Sequence, residues 1–100
     1  MRPKTTRGLL ERLVSRVNVL TGHPTLAWNI GDWDEEAQAV NISPNVGTYF
    51  LSHFDAGYRV EQMQEHGTST DVLGSERLTA REQEVQLRAY IAGLENKSNA

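Results

Sequence analysis

The chain has 100 residues, of which 38% are apolar and 23% charged, with no cysteine and a formal net charge of −3. These totals predict one soluble domain over residues 1–100 and exclude a disulfide framework, a thiol nucleophile and a cysteine-based zinc site. Charge is sorted along the chain: residues 1–20 hold five bases against one acid (+4), residues 21–76 nine acids against Arg59 (−8), and residues 77–100 return to +1.

Residues 6–21 read as a helix. Leu9, Leu10, Leu13, Val14, Val17 and Leu20 share one face at 3.6-residue spacing. Thr5 or Thr6 can cap its start, and Gly22, followed by Pro24, stands where a left-handed terminator belongs. Residues 25–73 change period. Leu26–Ile30, Gln38–Ile42, Thr48–Phe54, Tyr58–Gln64 and Thr68–Leu73 are short β-prone segments punctuated by glycine, proline and asparagine. Phe54-Asp55-Ala56-Gly57-Tyr58 carries the best hairpin signal. Every break is too short for a crossover helix, so the sheet is expected to be antiparallel. Asp32–Glu36 would form an exposed loop if the first two strands pair. Residues 79–95 read as a second helix, opened by the capping box Thr79-Ala80-Arg81-Glu82 and followed by a polar tail, 96–100. Ala80, Leu87, Tyr90, Ile91 and Leu94 line one face of it, while Val85, Ala89 and Ala92 make a second apolar strip. The expected fold class is α+β: one antiparallel sheet of four or five strands with both terminal helices on one face.

The chemistry-bearing residues do not assemble into a catalytic motif. His23, His53 and His66 fall on a helix exit, a strand and a turn, without metal-ligand spacing; His53, alternating with Tyr49 and Leu51, is expected to be partly buried. Nucleophile elbows, phosphate loops and dinucleotide fingerprints are absent. No enzyme, metal or cofactor is expected. Tyr49, Phe50, Phe54 and Tyr58 suit core packing better than base stacking, because alternation sends Tyr49 and Phe50 to opposite faces.

The densest cluster is Asp32-Trp33-Asp34-Glu35-Glu36. It reads either as a solvated loop with Trp33 folded against the core edge or as a contact site. Clustered carboxylates can occupy a basic groove that otherwise receives phosphates, and Trp adds anchoring area. The EF-hand spacing for calcium is not met. Arg2, Lys4, Arg7, Arg12 and Arg16 could instead grip phosphates, which makes a nucleic-acid-binding accessory protein the alternative. No apolar run approaches the roughly 18 residues of a membrane span, and charges interrupt the N-terminal apolar positions, so no membrane contact and a cytoplasmic location are expected.

The runs Thr6–Val14, Leu20–Pro24 with Trp28, Asn45–Ser52, Gly57–Arg59 with Met63, and Arg81 with Leu87–Glu95 resemble a family of small bacterial phage and prophage proteins. The family's usual glycine pair is Ala56-Gly57 here, and Asp32–Glu36 is not a family feature. The resemblance implies a mobile-element protein of the bacterial host cytoplasm and supplies no catalytic residues. Small acidic phage proteins without enzyme motifs often inhibit host machinery, anti-CRISPR proteins among them. The expectation is therefore a non-enzymatic inhibitor whose Asp32–Glu36 segment meets a host protein or nucleoprotein complex with a basic surface.

Overall fold

The computed structural model describes residues 4–54, 57–74 and 76–98. The order is α1 (Arg7–Thr21), β1 (Trp28–Asp34), β2 (Ala39–Pro44), β3 (Tyr49–Phe54), β4 (Gly57–Met63), a 3-10 turn (Glu65–Gly67), β5 (Ser69–Asp71) and α2 (Ala80–Ser98). The fold is α+β, as its composition and periodicity predict. Its five strands are split, however, into a β1–β2 hairpin and a separate antiparallel sheet β3-β4-β5.

Both helix starts form as the sequence indicates. The Thr6 hydroxyl accepts the Leu9 amide at 3.2 Å, and Thr79 and Glu82 exchange reciprocal side-chain-to-backbone bonds at 3.2 and 3.0 Å. Those bonds hold the exposed Glu82 carboxyl below the usual carboxylate range. α1 stops at Gly22 (φ +78°), where the Gly22 and His23 amides donate to the Val19 and Asn18 carbonyls. This is a Schellman closure, which needs the left-handed residue that glycine supplies cheaply. α2 has no such terminator before Ser98, so most of the expected polar tail is helix. Asn99 and Ala100 lie outside the described residues.

The core lies between the helices and one face of the three-stranded sheet. Leu10, Val14 and Val17 of α1 meet Tyr49, Val60, Leu87 and Ile91. Removing each such side chain from water contributes about 1.5–3 kcal/mol. Pairing of Tyr49 with Gln62 and Leu51 with Val60 puts Tyr49 and Val60 on that same face. His53 shares it but sits beyond the helices, exposed and stacked on Tyr58 at 4.3 Å rather than partly buried. The Asp55-Ala56 tip of the β3–β4 hairpin lies outside the described residues.

The buried Asn18 joins α1 to the edge of β3. Its amide nitrogen donates to the Tyr49 carbonyl at 2.9 Å, and its amide oxygen accepts the Tyr49 N–H at 2.7 Å. One side chain thereby takes the place of a neighbouring strand. On the far side of β4, β5 is short and Leu78 adds a single bridge, exchanging both backbone bonds with Tyr58 at 2.8 Å. The expected Thr68–Leu73 strand is reduced to Ser69–Asp71 because His66 (φ +63°) and Gly67 (φ +78°) turn the chain first.

The single-sheet expectation fails at residues 44–48. Asn45 extends the β1–β2 ladder by one step, and the chain then crosses to β3 without pairing the two sheets. Asn45 donates through its backbone and side chain to the Ala27 and Leu26 carbonyls, and the Thr48 hydroxyl donates to Pro24. Gly47 (φ +95°) bonds the Met63 carbonyl, and a Cβ there would lie 2.5 Å from the His23 ring, so the crossing requires glycine. The Asn45 bonds close the base of the hairpin and the Gly47 bond fastens it to β4, while neither β1 nor β2 joins the β3-β4-β5 sheet. The Cα radius of gyration, 15.5 Å, exceeds the roughly 13 Å of a compact 100-residue domain, in keeping with a projecting element.

Candidate functional site

The projecting hairpin is longer than the sequence indicates. Asp32, Trp33 and Asp34 belong to β1 rather than to a loop, and only Glu35 and Glu36 of the acidic segment occupy the turn. The ladder pairs Trp28 with Pro44, Asn29 with Ser43, Ile30 with Ile42, Trp33 with Val40 and Asp34 with Ala39, with a shift between Ile30 and Trp33. Strict alternation would send Ile30 and Trp33 to opposite faces. The bulge removes one step, so Trp33 opposes Val40 and joins Ile30 and Ile42.

The hairpin is therefore amphipathic. Trp28, Ile30, Trp33, Val40, Ile42 and Pro44 form one face, while Asn29, Asn41 and Ser43 occupy the other. The apolar face is open to solvent: Ile30 is 71% exposed, Ile42 60% and Trp33 53%. Trp33 is thus not folded against the core edge. Trp28, Ile30 and Ile42 enclose a depression of about 390 Å³ whose walls are almost wholly apolar. Trp28 ties β1 to the body. Its indole lies so close over Gly67 that a Cβ there would sit 2.7 Å from the ring.

The turn is set locally. The Asp34 carboxylate accepts the Glu36 and Ala37 amides at 2.9 and 3.2 Å, and the Gln38 side chain donates to the Glu35 carbonyl at 2.6 Å. That arrangement carries Gln38 at φ +53° and leaves Asp32, Glu35 and Glu36 exposed. None of the ion pairs among the described residues involves Asp32, Asp34, Glu35 or Glu36. Nor is any group of three or more metal-ligating side chains gathered among the described residues. Among the described residues these carboxylates have no ion-pair partner, so the tip presents negative charge on an apolar blade.

The basic N-terminal residues are elsewhere and partly engaged. Arg7 pairs with Glu11 at 3.0 Å and Arg16 with Glu95 at 3.4 Å. Lys4 and Arg12 are exposed, and Arg2 lies outside the described residues. Among the described residues, Arg7, Arg12 and Arg16 make no ion pair with the acidic tip. The histidines are dispersed. His23 bonds Thr21 at 2.8 Å and meets Tyr49 edge-on at 5.8 Å, His53 stacks on Tyr58, and His66 sits in the 3-10 turn.

Asp32–Glu36 is thus the tip of the exposed element, but sequence reasoning missed the apolar face behind it. The signal was present as alternation: Trp28 and Ile30 flank Asn29, and Val40 and Ile42 flank Asn41. The bulge that recruits Trp33 has no comparable signature.

Comparison with protein-family models, curated proteins and solved structures found no match for the chain. Among the described residues no helix is long and apolar enough to cross a membrane.

Proposed function

We propose that this chain is a non-enzymatic binding protein, a phage-encoded inhibitor of the anti-CRISPR type, which blocks a nucleic-acid-binding surface of a host protein or nucleoprotein complex. The observation that carries this reading is the β1–β2 hairpin. It is an exposed apolar face ending in carboxylates that none of the ion pairs among the described residues involves. Such a blade suits a cationic groove. Carboxylates meet the lysines and arginines that otherwise bind phosphate, and the tryptophans supply desolvated area. The phage origin rests on the sequence resemblance, and the host setting follows from it.

Interference with DNA binding by candidate host complexes is the test, using the parent and an Asp32→Lys, Glu35→Lys, Glu36→Lys variant. Asp34 is left intact because its carboxylate holds the turn, so reversing it would mix folding with recognition. Loss of interference in the variant supports the reading. Equal interference by variant and parent removes the hairpin tip from it.

A further inference from the structure

We infer that the hairpin of one copy docks head to tail on the outer face of the α1–α2 pair of a second copy. The receiving surface is the part of the molecule left unexplained by the core. Val85, Ala89 and Ala92 form a strip along α2 that faces away from the sheet and is exposed. Beside it the two helices leave a groove of about 360 Å³ lined by Leu13, Arg16, Arg88, Ile91, Ala92 and Glu95. That size falls at the lower end of clefts that receive small ligands, about 300–1,000 Å³, and suits one inserted aromatic side chain.

The charges of the two surfaces are opposite. Arg12 stands one turn before Arg16 on the same side of α1, and Arg81 one turn before Val85 on α2. Neither Arg12 nor Arg81 is in an ion pair among the described residues. Arg16 is half-exposed and held at 3.4 Å by Glu95, and Arg88 pairs with the buried Glu84. Four arginines against Glu82, Glu84 and Glu95 leave this helical face positive by one charge. The hairpin brings Asp32, Glu35 and Glu36 around the exposed Trp33. An apolar anchor ringed by acids thus has its counterpart in an apolar groove ringed by arginines.

Other self-contacts are disfavoured. Two hairpins stacked by their apolar faces would bring two acidic elements together. Pairing along the β3 edge is hindered at Tyr49, where Asn18 already occupies both outward backbone groups. The hairpin's main packing on its own body is between β2 and the 3-10 turn, away from the α1–α2 groove. The two tryptophans with Ile30, Val40 and Ile42 offer roughly 400–500 Å² of apolar surface per contact. That area places the contact in the weak class, below the roughly 1,200 Å² two-sided burial of stable complexes. Donor and acceptor surfaces differ, so the contact either closes reciprocally as a two-fold dimer or propagates as rings or short chains.

This contact does not rest on the inhibitor reading, and the two fail independently, since its test contains no host component. The test is sedimentation velocity on the purified chain and two surface variants, each checked for native helix content. One is Trp33→Ala, Glu35→Lys, Glu36→Lys; the other is Arg12→Glu, Arg16→Glu. The parent is expected to associate with increasing concentration and to dissociate as salt rises. Each variant alone is expected to remain monomeric, and their equimolar mixture to form a one-to-one heterodimer, because one retains the helical face and the other the hairpin. Assembly of the helix variant as strong as the parent's overturns the proposal in favour of a hairpin–hairpin stack. A parent that stays monomeric into the millimolar range, or a mixture that stays monomeric, overturns it outright.

Discussion

Replacing Asn18 with Leu conserves size while removing both of its bonds to Tyr49. The Tyr49 N–H and C=O face away from β4, and the side chain that meets them is fully buried, so water does not take its place. Leaving one buried backbone group unsatisfied costs about 1–3 kcal/mol. Two such groups, less about 1 kcal/mol for the hydrophobic gain of leucine, give a loss of roughly 1–5 kcal/mol. Against the 5–15 kcal/mol typical of a domain, that is a large fraction of total stability. With a urea slope of about 1–1.5 kcal/mol/M for a chain of this size, the midpoint should fall by about 2 M at constant slope. Urea titration followed by far-UV circular dichroism measures it, and amide exchange at Tyr49 should quicken in parallel. A loss below about 0.5 kcal/mol would show that Asn18 is not the clamp between α1 and β3.

Gly67→Ala should displace the Trp28 indole, both because the new Cβ would lie 2.7 Å from the ring and because φ is +78°. It should cost about 1–2 kcal/mol. The only tryptophans are Trp28 and Trp33 in the hairpin, so more easily quenched, red-shifted emission reads this directly. Glu35→Lys with Glu36→Lys should change the unfolding free energy from urea titration by less than about 0.5 kcal/mol, since neither carboxylate is in an ion pair among the described residues. Burial and the bond to Tyr90 push the Tyr49 hydroxyl up to about 12. The folded state prefers the neutral phenol, so this stability is complete below pH 10 and is lost as pH rises through 12, which phenolate absorbance during alkaline unfolding should show. Glu82 has the opposite sign. Its lowered pKa means that the α2 cap contributes above the normal carboxylate range and is lost as pH falls, and faster amide exchange over residues 80–83 in acid should reveal it.

Elements governed by local chemistry were legible from the residues alone. Thr6, Gly22 and the Thr79–Glu82 box act within three or four positions of themselves, and the observed helices begin or end where those residues place them. The pairing of β3 with β4 across Phe54 and Gly57 lies at the hairpin signal, and Tyr49 is buried as core packing requires, whereas His53 on the same face is exposed. What was not legible depends on partners distant in sequence. Asn18 interrupts the apolar stripe of α1 as an apparently neutral polar residue, and its purpose appears only when Tyr49 arrives beside it. The separation of the hairpin from the main sheet turns on Asn45 and Thr48 reaching back to carbonyls 24–27, which no periodicity encodes. The candidate site was half legible. The carboxylates stand out in composition, whereas the face behind them depends on a bulge that changes the side of Trp33.

The hairpin departs from ordinary folding economy in an informative way. A two-stranded hairpin is marginal by itself in water and is usually stabilised by packing one face on a core. Here the apolar face points to solvent, and stability comes from the base, through Asn45, Thr48 and the Trp28–Gly67 contact. Had the hairpin served only to complete the fold, covering that face with α2 would have buried Ile30 and Ile42 and used the spare strip Val85, Ala89 and Ala92 at the same time. Both apolar surfaces instead remain exposed on one molecule, one edged with acids and the other with arginines. Two such surfaces that do not meet within the chain are complementary between chains. Any cationic host surface that bound the hairpin would therefore compete with the chain's own helical face.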